Sequence, residues 1–447
     1  MVAKTSWEIA MKALFSKFFQ NNFFRDSFWA LLGSVILRGS ALVSSIMLAH
    51  ILQKTTFGEF NSLKNTLTTL AVFTTFGLGY TSTKFVSDFL HSKKANLEKI
   101  VLQIYSITFV FSGVVSLLLF IFSNDISVFY YKNADFSNEI KLLAAWVVLT
   151  AITTSQSGII GGLGIFKKLS FVNVLMGIIT IIVLPIFSYT NGLIGACTAL
   201  LIIQFLNCIF NYFLISKELK LLGNNRINNT NYTVNYKEIL LFSTPLTLIE
   251  AFFSIFLWLN YFLLQNYQNY DEVAIYSAAM QWYVVLLFIP SVLRNVILSY
   301  FSRDEEATRA SVLKNAILIS GFTTLIPAVI VFIFAPYISA MYGKSFTELT
   351  TVLRIIVFIP VFSSIVNVLE QFLFSISKNW MVFIICFIKD SFTFLCFAYF
   401  VFFLNIKQGA IYLTGAYLFM NFLAALVYMV IYFRTGTFKQ YLEVSKI

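Results

Sequence analysis

Twelve apolar runs, parted by short polar breaks, fill almost the whole of this chain and leave it one class of fold. They fall at about 28–52, 66–86, 100–122, 141–164, 170–189, 192–215, 238–265, 274–301, 312–335, 351–376, 380–404 and 408–433. A helix needs roughly 20 apolar residues to cross hydrocarbon, and each run is about that long. Hydrophobic residues make up 59% of the chain and charged ones 11%, where a soluble domain carries about a quarter charged residues. A surface that apolar needs lipid around it. In lipid every backbone N–H and C=O must bond inside its own segment, so the runs read as helices. The expected fold is an all-α integral membrane protein of about twelve transmembrane helices in two six-helix bundles.

Charge sets the orientation. The chain carries a net charge of +11, which in a soluble protein would point to nucleic acid. Here the lysines and arginines sort by side of the membrane instead. Alternate loops and the two termini hold 21, from Lys4 to Lys446. The other loops hold six: Lys54, Lys64, Lys132, Lys141, Lys344 and Lys407. Cytoplasmic loops carry the excess of basic residues, so both termini are expected in the cytoplasm and the number of spans is even. Nucleic acid is not an expected partner.

Residues 1–27 then form a cytoplasmic or interfacial segment. Trp7, Met11, Leu14 and Phe18 share one helical face, and Lys4, Lys12 and Lys17 lie mostly elsewhere, the pattern of a helix lying on the membrane surface. Residues 28–215 make the first bundle and 216–237 an asparagine-rich cytoplasmic linker. Residues 238–433 make the second bundle and 434–447 a cytoplasmic tail. The halves resemble each other at an offset near 216. Phe57-Gly58-Glu59-Phe60-Asn61-Ser62 aligns with Val273-Ala274-Ile275-Tyr276-Ser277-Ala278. Two similar bundles around a midplane site are the plan of a transporter that rocks.

Ionisable side chains within the runs mark where such a site lies. A charge at the centre of a span costs about 2.5–3.5 kcal/mol, so it normally faces a cavity or a partner. Arg38, Arg294 and Lys389 are the expected cavity cations. Glu250, Glu370 and Asp390 are the carboxylates at membrane depth. Lys389 and Asp390 are neighbours about 100° apart on a helix, so one is expected to line the cavity and the other to pair elsewhere. The six prolines all fall within or at the ends of runs, as bends for such a motion.

No other chemistry stands out. The four cysteines lie in apolar runs and read as small hydrophobes. His50 and His91 have no paired ligand spacing, and there is no phosphate-binding glycine loop of the Walker type. No metal, cofactor or catalytic residue is expected, and the chain reads as a non-enzyme.

Several short motifs, in order, resemble one family. The first half has Leu48-Ala49-His50-Ile51-Leu52, Phe57-Gly58-Glu59-Phe60, Phe76-Gly77-Leu78-Gly79 and Lys84-Phe85-Val86. The second has Ile275-Tyr276-Ser277-Ala278-Ala279, Phe288-Ile289-Pro290 and Met341-Tyr342-Gly343-Lys344-Ser345-Phe346, then Leu353-Arg354-Ile355. The set is similar to the polysaccharide (O-antigen, Wzx-type) flippases of the multidrug/oligosaccharidyl-lipid/polysaccharide exporter superfamily. One departure is that Leu298-Ser299-Tyr300 lacks the proline often found there in the family.

The resemblance implies a bacterial inner-membrane protein that turns undecaprenyl-diphosphate-linked oligosaccharide repeat units from the inner to the outer leaflet by alternating access, for surface polysaccharide biosynthesis. It also implies that Asn260, Gln281 and Gln371 replace water around the sugar hydroxyls and that protonation of Glu250, Glu370 or Asp390 couples transport to an ion gradient. Its partners would be that lipid-linked substrate, membrane lipids and the glycan polymerase and assembly proteins that follow. Two rivals remain. One is export of another amphiphile: a drug, a teichoic-acid precursor or a peptidoglycan precursor. The other is a membrane glycan polymerase or glycosyltransferase. Peptidoglycan flippases usually carry two more spans, and the polymerases a large outer loop.

Overall fold

A computed structural model describes residues 22–75, 77–92, 97–223, 236–288, 290, 306–375 and 378–434. These residues are almost wholly helical, and among them there is no strand. In chain order the main helices are α1 (Asn22–Thr75), α2 (Leu78–Ser92), α3 (Leu97–Ile121), α4 (Ser137–Leu163), α5 (Phe166–Gly223) and α6 (Tyr236–Leu263). Then come α7 (Tyr270–Leu286), α8 (Glu306–Tyr342), α9 (Leu349–Ile356), α10 (Ile359–Ser375), α11 (Asn379–Phe403) and α12 (Gly409–Arg434). Residues 1–21 of the expected N-terminal segment, Arg294, the Leu298–Tyr300 stretch and the expected tail beyond Arg434 lie outside the described residues, as does most of the expected linker, while 22–27 already belong to helix α1. The first part of that linker, 216–223, continues helix α5.

Among the described residues eight helices are long and apolar enough to cross a membrane. Two of them are double. Helix α1 reverses at Gln53, whose φ of 62° is left-handed backbone that a residue with a Cβ rarely adopts. Arg38 and Thr68 line one cavity, yet a straight helix would separate them by about 45 Å. The two arms therefore run back side by side. Helix α5 reverses at Asn191 and Gly192, where Gly192 has φ 57°. Beyond that turn a Cβ on Gly195 would sit 1.9 Å from the Phe187 carbonyl oxygen, an approach only glycine permits.

Helices α1 to α5 pack mainly among themselves, and α6 to α12 do the same. The lobes meet where the arms of α1 lie against α7 and α6. Exposed apolar side chains cover the outward faces, including Leu102, Phe109 and Leu117 on α3 and Phe322, Ile326 and Ile333 on α8. Only a lipid solvent suits such a belt. The chain is a multi-pass, all-helical membrane protein.

The seam between the lobes is densest at the end where Gln53 reverses. Thr55 Oγ1 donates to Asp271 Oδ1 at 2.7 Å. These two positions are 216 apart, the offset expected for the internal repeat. Lys54 Nζ lies 3.2 Å from Glu348 Oε2 and 3.8 Å from Asp271 Oδ2. His50 Nε2 is 2.7 Å from the Met341 carbonyl oxygen, and Phe57 packs edge-on against Phe346 at 6.1 Å. Gly58 carries no Cβ because one would stand 1.9 Å from the Tyr270 carbonyl oxygen. The equivalent contact on the other side is aromatic. Tyr270 donates to the Tyr131 carbonyl at 3.4 Å, and Tyr130 stacks on Trp258 at 5.5 Å.

Candidate functional site

Below the seam the two arms of α1, together with α5, α6 and α7, enclose a cavity of about 380 Å3. That lies in the range of about 300–1,000 Å3 typical of small-molecule sites. Arg38, Ser45, Asn61, Lys64, Asn65 and Gln281 supply its main polar groups, with Tyr261 and Ser277 beside them. Arg38 and Ser45 are seven residues apart on the first arm, and Asn61, Lys64, Asn65 and Thr68 share a face of the second. Spacings of three, four and seven hold side chains on one side of a helix.

Arg38 and Lys64 make no ion pair among the described residues. The Arg38 guanidinium lies instead over the Phe288 ring, 4.9 Å from its centroid. Gln281 spends one amide hydrogen on Ser45 Oγ at 2.5 Å. Its Oε1 and the Nδ2 of Asn65 are buried with no hydrogen-bond partner. Buried polar atoms normally find a partner, in the protein or in ordered water. Two uncompensated cations and free amide atoms in one cavity suit an anion with hydroxyls attached.

A second cavity of about 300 Å3 lies inside the C-terminal lobe, among α6, α7, α10, α11 and α12. It holds Glu370, Lys389 and Asp390. Here the one cation among the described lining residues has its carboxylate partner. Lys389 Nζ is 3.1 Å from Asp390 Oδ1 and 5.8 Å from the Tyr417 ring centroid. Glu370 Oε1 accepts from Cys386 Sγ at 3.2 Å and from the Tyr428 hydroxyl at 3.4 Å. Cys386 is therefore a hydrogen-bond donor as well as an apolar filler.

The expected site residues thus divide. Arg38 and Gln281 stand in the central cavity. Lys389, Asp390 and Glu370 stand together in the C-terminal lobe, and Asn260 lines a small adjoining void with Asp390 and Tyr417. Gln371 is buried, its Nε2 without a hydrogen-bond partner. Glu250 is half-buried on α6 and has an interaction partner. Two readings need correction. Lys389 and Asp390 do not separate onto different surroundings, because the long lysine stem swings back to its neighbour. Lys64, counted with the outer loops, lies on the second arm of α1, eleven residues past the reversal at Gln53. That is about 16 Å along the helix. The apolar run at 66–86 hid it, since polar residues 61–65 precede the run. Their helical spacing was the signal that they belong to the span.

Comparison with known proteins agrees with the architecture. The profile of the family described as polysaccharide biosynthesis protein matches residues 23–303. The EPS I polysaccharide export inner membrane protein EpsE of Ralstonia nicotianae is 23% identical over 371 residues, 80% of this chain and 82% of that protein. Among solved structures, a multidrug resistance MATE family transporter of the MOP superfamily is similar in its inward-facing conformation. The TM-score is 0.75 at 14% identity, over 93% of this chain and 99% of that one. The outward-facing conformation of such a transporter gives 0.69 at 16% identity, over 92% and 94%. A MOP superfamily transporter from Pyrococcus furiosus gives 0.68 at 16% identity, also over 92% and 94%. With the matched profile spanning more than half of its length, the chain belongs to the polysaccharide biosynthesis protein family, built on the fold of the MOP superfamily transporters.

Proposed function

We propose that this protein is a flippase for undecaprenyl-diphosphate-linked oligosaccharide in the bacterial inner membrane. The observation that carries the reading is the pair of uncompensated cations, Arg38 and Lys64, in the central cavity. A diphosphate cannot enter about 30 Å of hydrocarbon without its charge being offset. The arginine fork binds phosphate oxygens two at a time, and the lysine adds a point charge. Asn61, Asn65 and Gln281 replace water around sugar hydroxyls. The polyprenyl chain stays in the lipid. A cationic drug would be repelled by the same pair, which disfavours that rival.

In this reading the chain spans the membrane twelve times with both termini inside, and the Gln53 end of the seam faces out. The present state is then closed to the outside. Substrate enters from the cytoplasmic side, and opening the seam releases it to the outer leaflet for a glycan polymerase. Of the three carboxylates named for coupling, Asp390 is already committed to Lys389. Glu370 accepts from the neutral donors Cys386 and Tyr428. The export function named for the Ralstonia relative and the family assignment support the substrate class.

The test is transport itself. Vesicles containing the purified protein and a fluorescent undecaprenyl-diphosphate trisaccharide are expected to move label between leaflets. Arg38→Ala with Lys64→Ala should abolish that movement. Equal rates in empty vesicles, or in the double variant, would contradict the reading.

A further inference from the structure

The two lobes are joined by an antiparallel ladder that runs from the seam down to the cavity. Thr55 meets Asp271 at 2.7 Å, Ser45 meets Gln281 at 2.5 Å, and Arg38 meets Phe288 at 4.9 Å. Arg38 and Ser45 are seven residues apart on α1, and Gln281 and Phe288 are seven apart on the opposing segment. The steps match because two helical turns on each side cover the same rise. The lowest rung differs from the others. It is a guanidinium over a ring face, made by a cation that has no carboxylate partner among the described residues. Its Arg38 side lines the cavity together with the Ser45–Gln281 rung.

We propose that Phe288 is a positioning residue that parks Arg38 until an anion arrives, and that the exchange of ring for phosphate loosens the lobes from within. This rests on the anion-transport reading above. A phosphate oxygen is a stronger partner for guanidinium than a ring face, because the hydrogen bond is charge-assisted on both sides. Arg38 cannot keep its seat on the ring and also turn its fork onto a diphosphate. When it turns, this contact between the lobes is lost, while the Ser45 and Thr55 rungs remain. Phe288 is well placed to yield. It is buried, with 7% of its surface exposed, yet it sits just past the end of α7 at Leu286. Two residues on, Pro290 has no N–H with which to continue a helix ladder. Substrate binding and opening of the seam are thereby linked through one side chain in each lobe.

The experiment places paired fluorophores at Asp135 and Lys407, exposed loop positions in opposite lobes, by non-natural amino acids so that Cys386 is untouched. The protein is studied in nanodiscs with undecaprenyl diphosphate or with the uncharged undecaprenol. In the wild type, diphosphate is expected to raise the fraction with separated labels up to about fivefold, the scale of one solvent-exposed cation–ring contact, and undecaprenol to leave it unchanged. Phe288→Leu should show the raised fraction without ligand and respond less than twofold. Phe288→Met serves the same purpose if the leucine variant does not fold. Phe288→Tyr keeps the ring face and should behave as the wild type. A leucine or methionine variant with the wild-type resting fraction and full response overturns the role of Phe288 alone. A wild type whose melting temperature diphosphate does not raise overturns the transport reading, and this inference with it.

Discussion

The central cavity and the cavity inside the C-terminal lobe are close in size, about 380 and about 300 Å3, and both contain cations. What separates them is compensation. Lys389 has a carboxylate at 3.1 Å and an aromatic face beside it. Arg38 has only the face of Phe288, and Lys64 makes no ion pair among the described residues. A buried ion pair that is complete holds itself and invites nothing. A cavity with excess positive charge is stable only if an anion or water completes it. The comparison teaches that the presence of charge in a membrane span does not identify a binding site; the absence of its counter-charge does.

Removing the excess should have the largest effect. Arg38→Ala combined with Lys64→Ala is expected to lower transport roughly a hundredfold or more. Each charge-assisted hydrogen bond is worth about 1.5–3 kcal/mol and every 1.4 kcal/mol is tenfold. Surface glycan in a strain carrying only the variant reads it out, with protein insertion checked by immunoblot.

The C-terminal cavity should respond in stability instead. Lys389→Ala leaves Asp390 buried and alone, at a cost of about 3–5 kcal/mol. Lys389→Leu with Asp390→Asn should recover most of that loss. Thermal melts in detergent check both, and a double variant as unstable as the single one would break the contrast between the cavities.

Lys54 offers an intermediate case, since it is paired but its partners Asp271 and Glu348 are about 40% exposed. Lys54→Ala is expected to change stability by less than about 1 kcal/mol. A larger loss would mean that the seam depends on its charges more than on Phe57, Phe346 and the aromatic side.

The smallest effect concerns Glu272, at the start of α7, which accepts from the Ala410 N–H at 2.7 Å. Burial pushes its carboxyl above the ordinary range, against the opposing pull of that N–H and of Lys54. The folded protein then holds the proton more tightly than the unfolded chain. The stability it contributes is in place below the ordinary carboxylate pKa and is lost as pH rises through the raised value. Glu272→Gln should flatten that part of a melting profile taken from about pH 4 to 7.

Much of this was legible from the order of residues. Long apolar runs force helices in lipid. Arg38 drew notice because a costly side chain in mid-span needs a reason, and the structure places it beside a cavity. What escaped was geometry that hydropathy averages away. A reversal at a single residue, Gln53, left no loop between the arms of α1, so a window that expected one placed Lys64 outside the membrane. The pairing of Lys389 with Asp390 depended on a flexible stem, which helical angles alone do not describe. The family motifs also turned out to serve a different place from the charges. His50, Phe57, Gly58 and Phe346 meet at the seam, where close approach of two backbones and two rings restricts residue choice.

The central claim is that Arg38 and Lys64 hold a diphosphate and Lys389 does not. The direct measurement is the affinity of the purified protein for undecaprenyl diphosphate in nanodiscs, compared across three proteins. Arg38→Ala with Lys64→Ala should weaken binding roughly a hundredfold or more relative to the wild type. The Lys389→Leu, Asp390→Asn protein should bind within about twofold of the wild type, because that cavity holds no uncompensated cation. Binding that survives the first pair of substitutions and fails with the second would contradict the account and move the site into the C-terminal lobe.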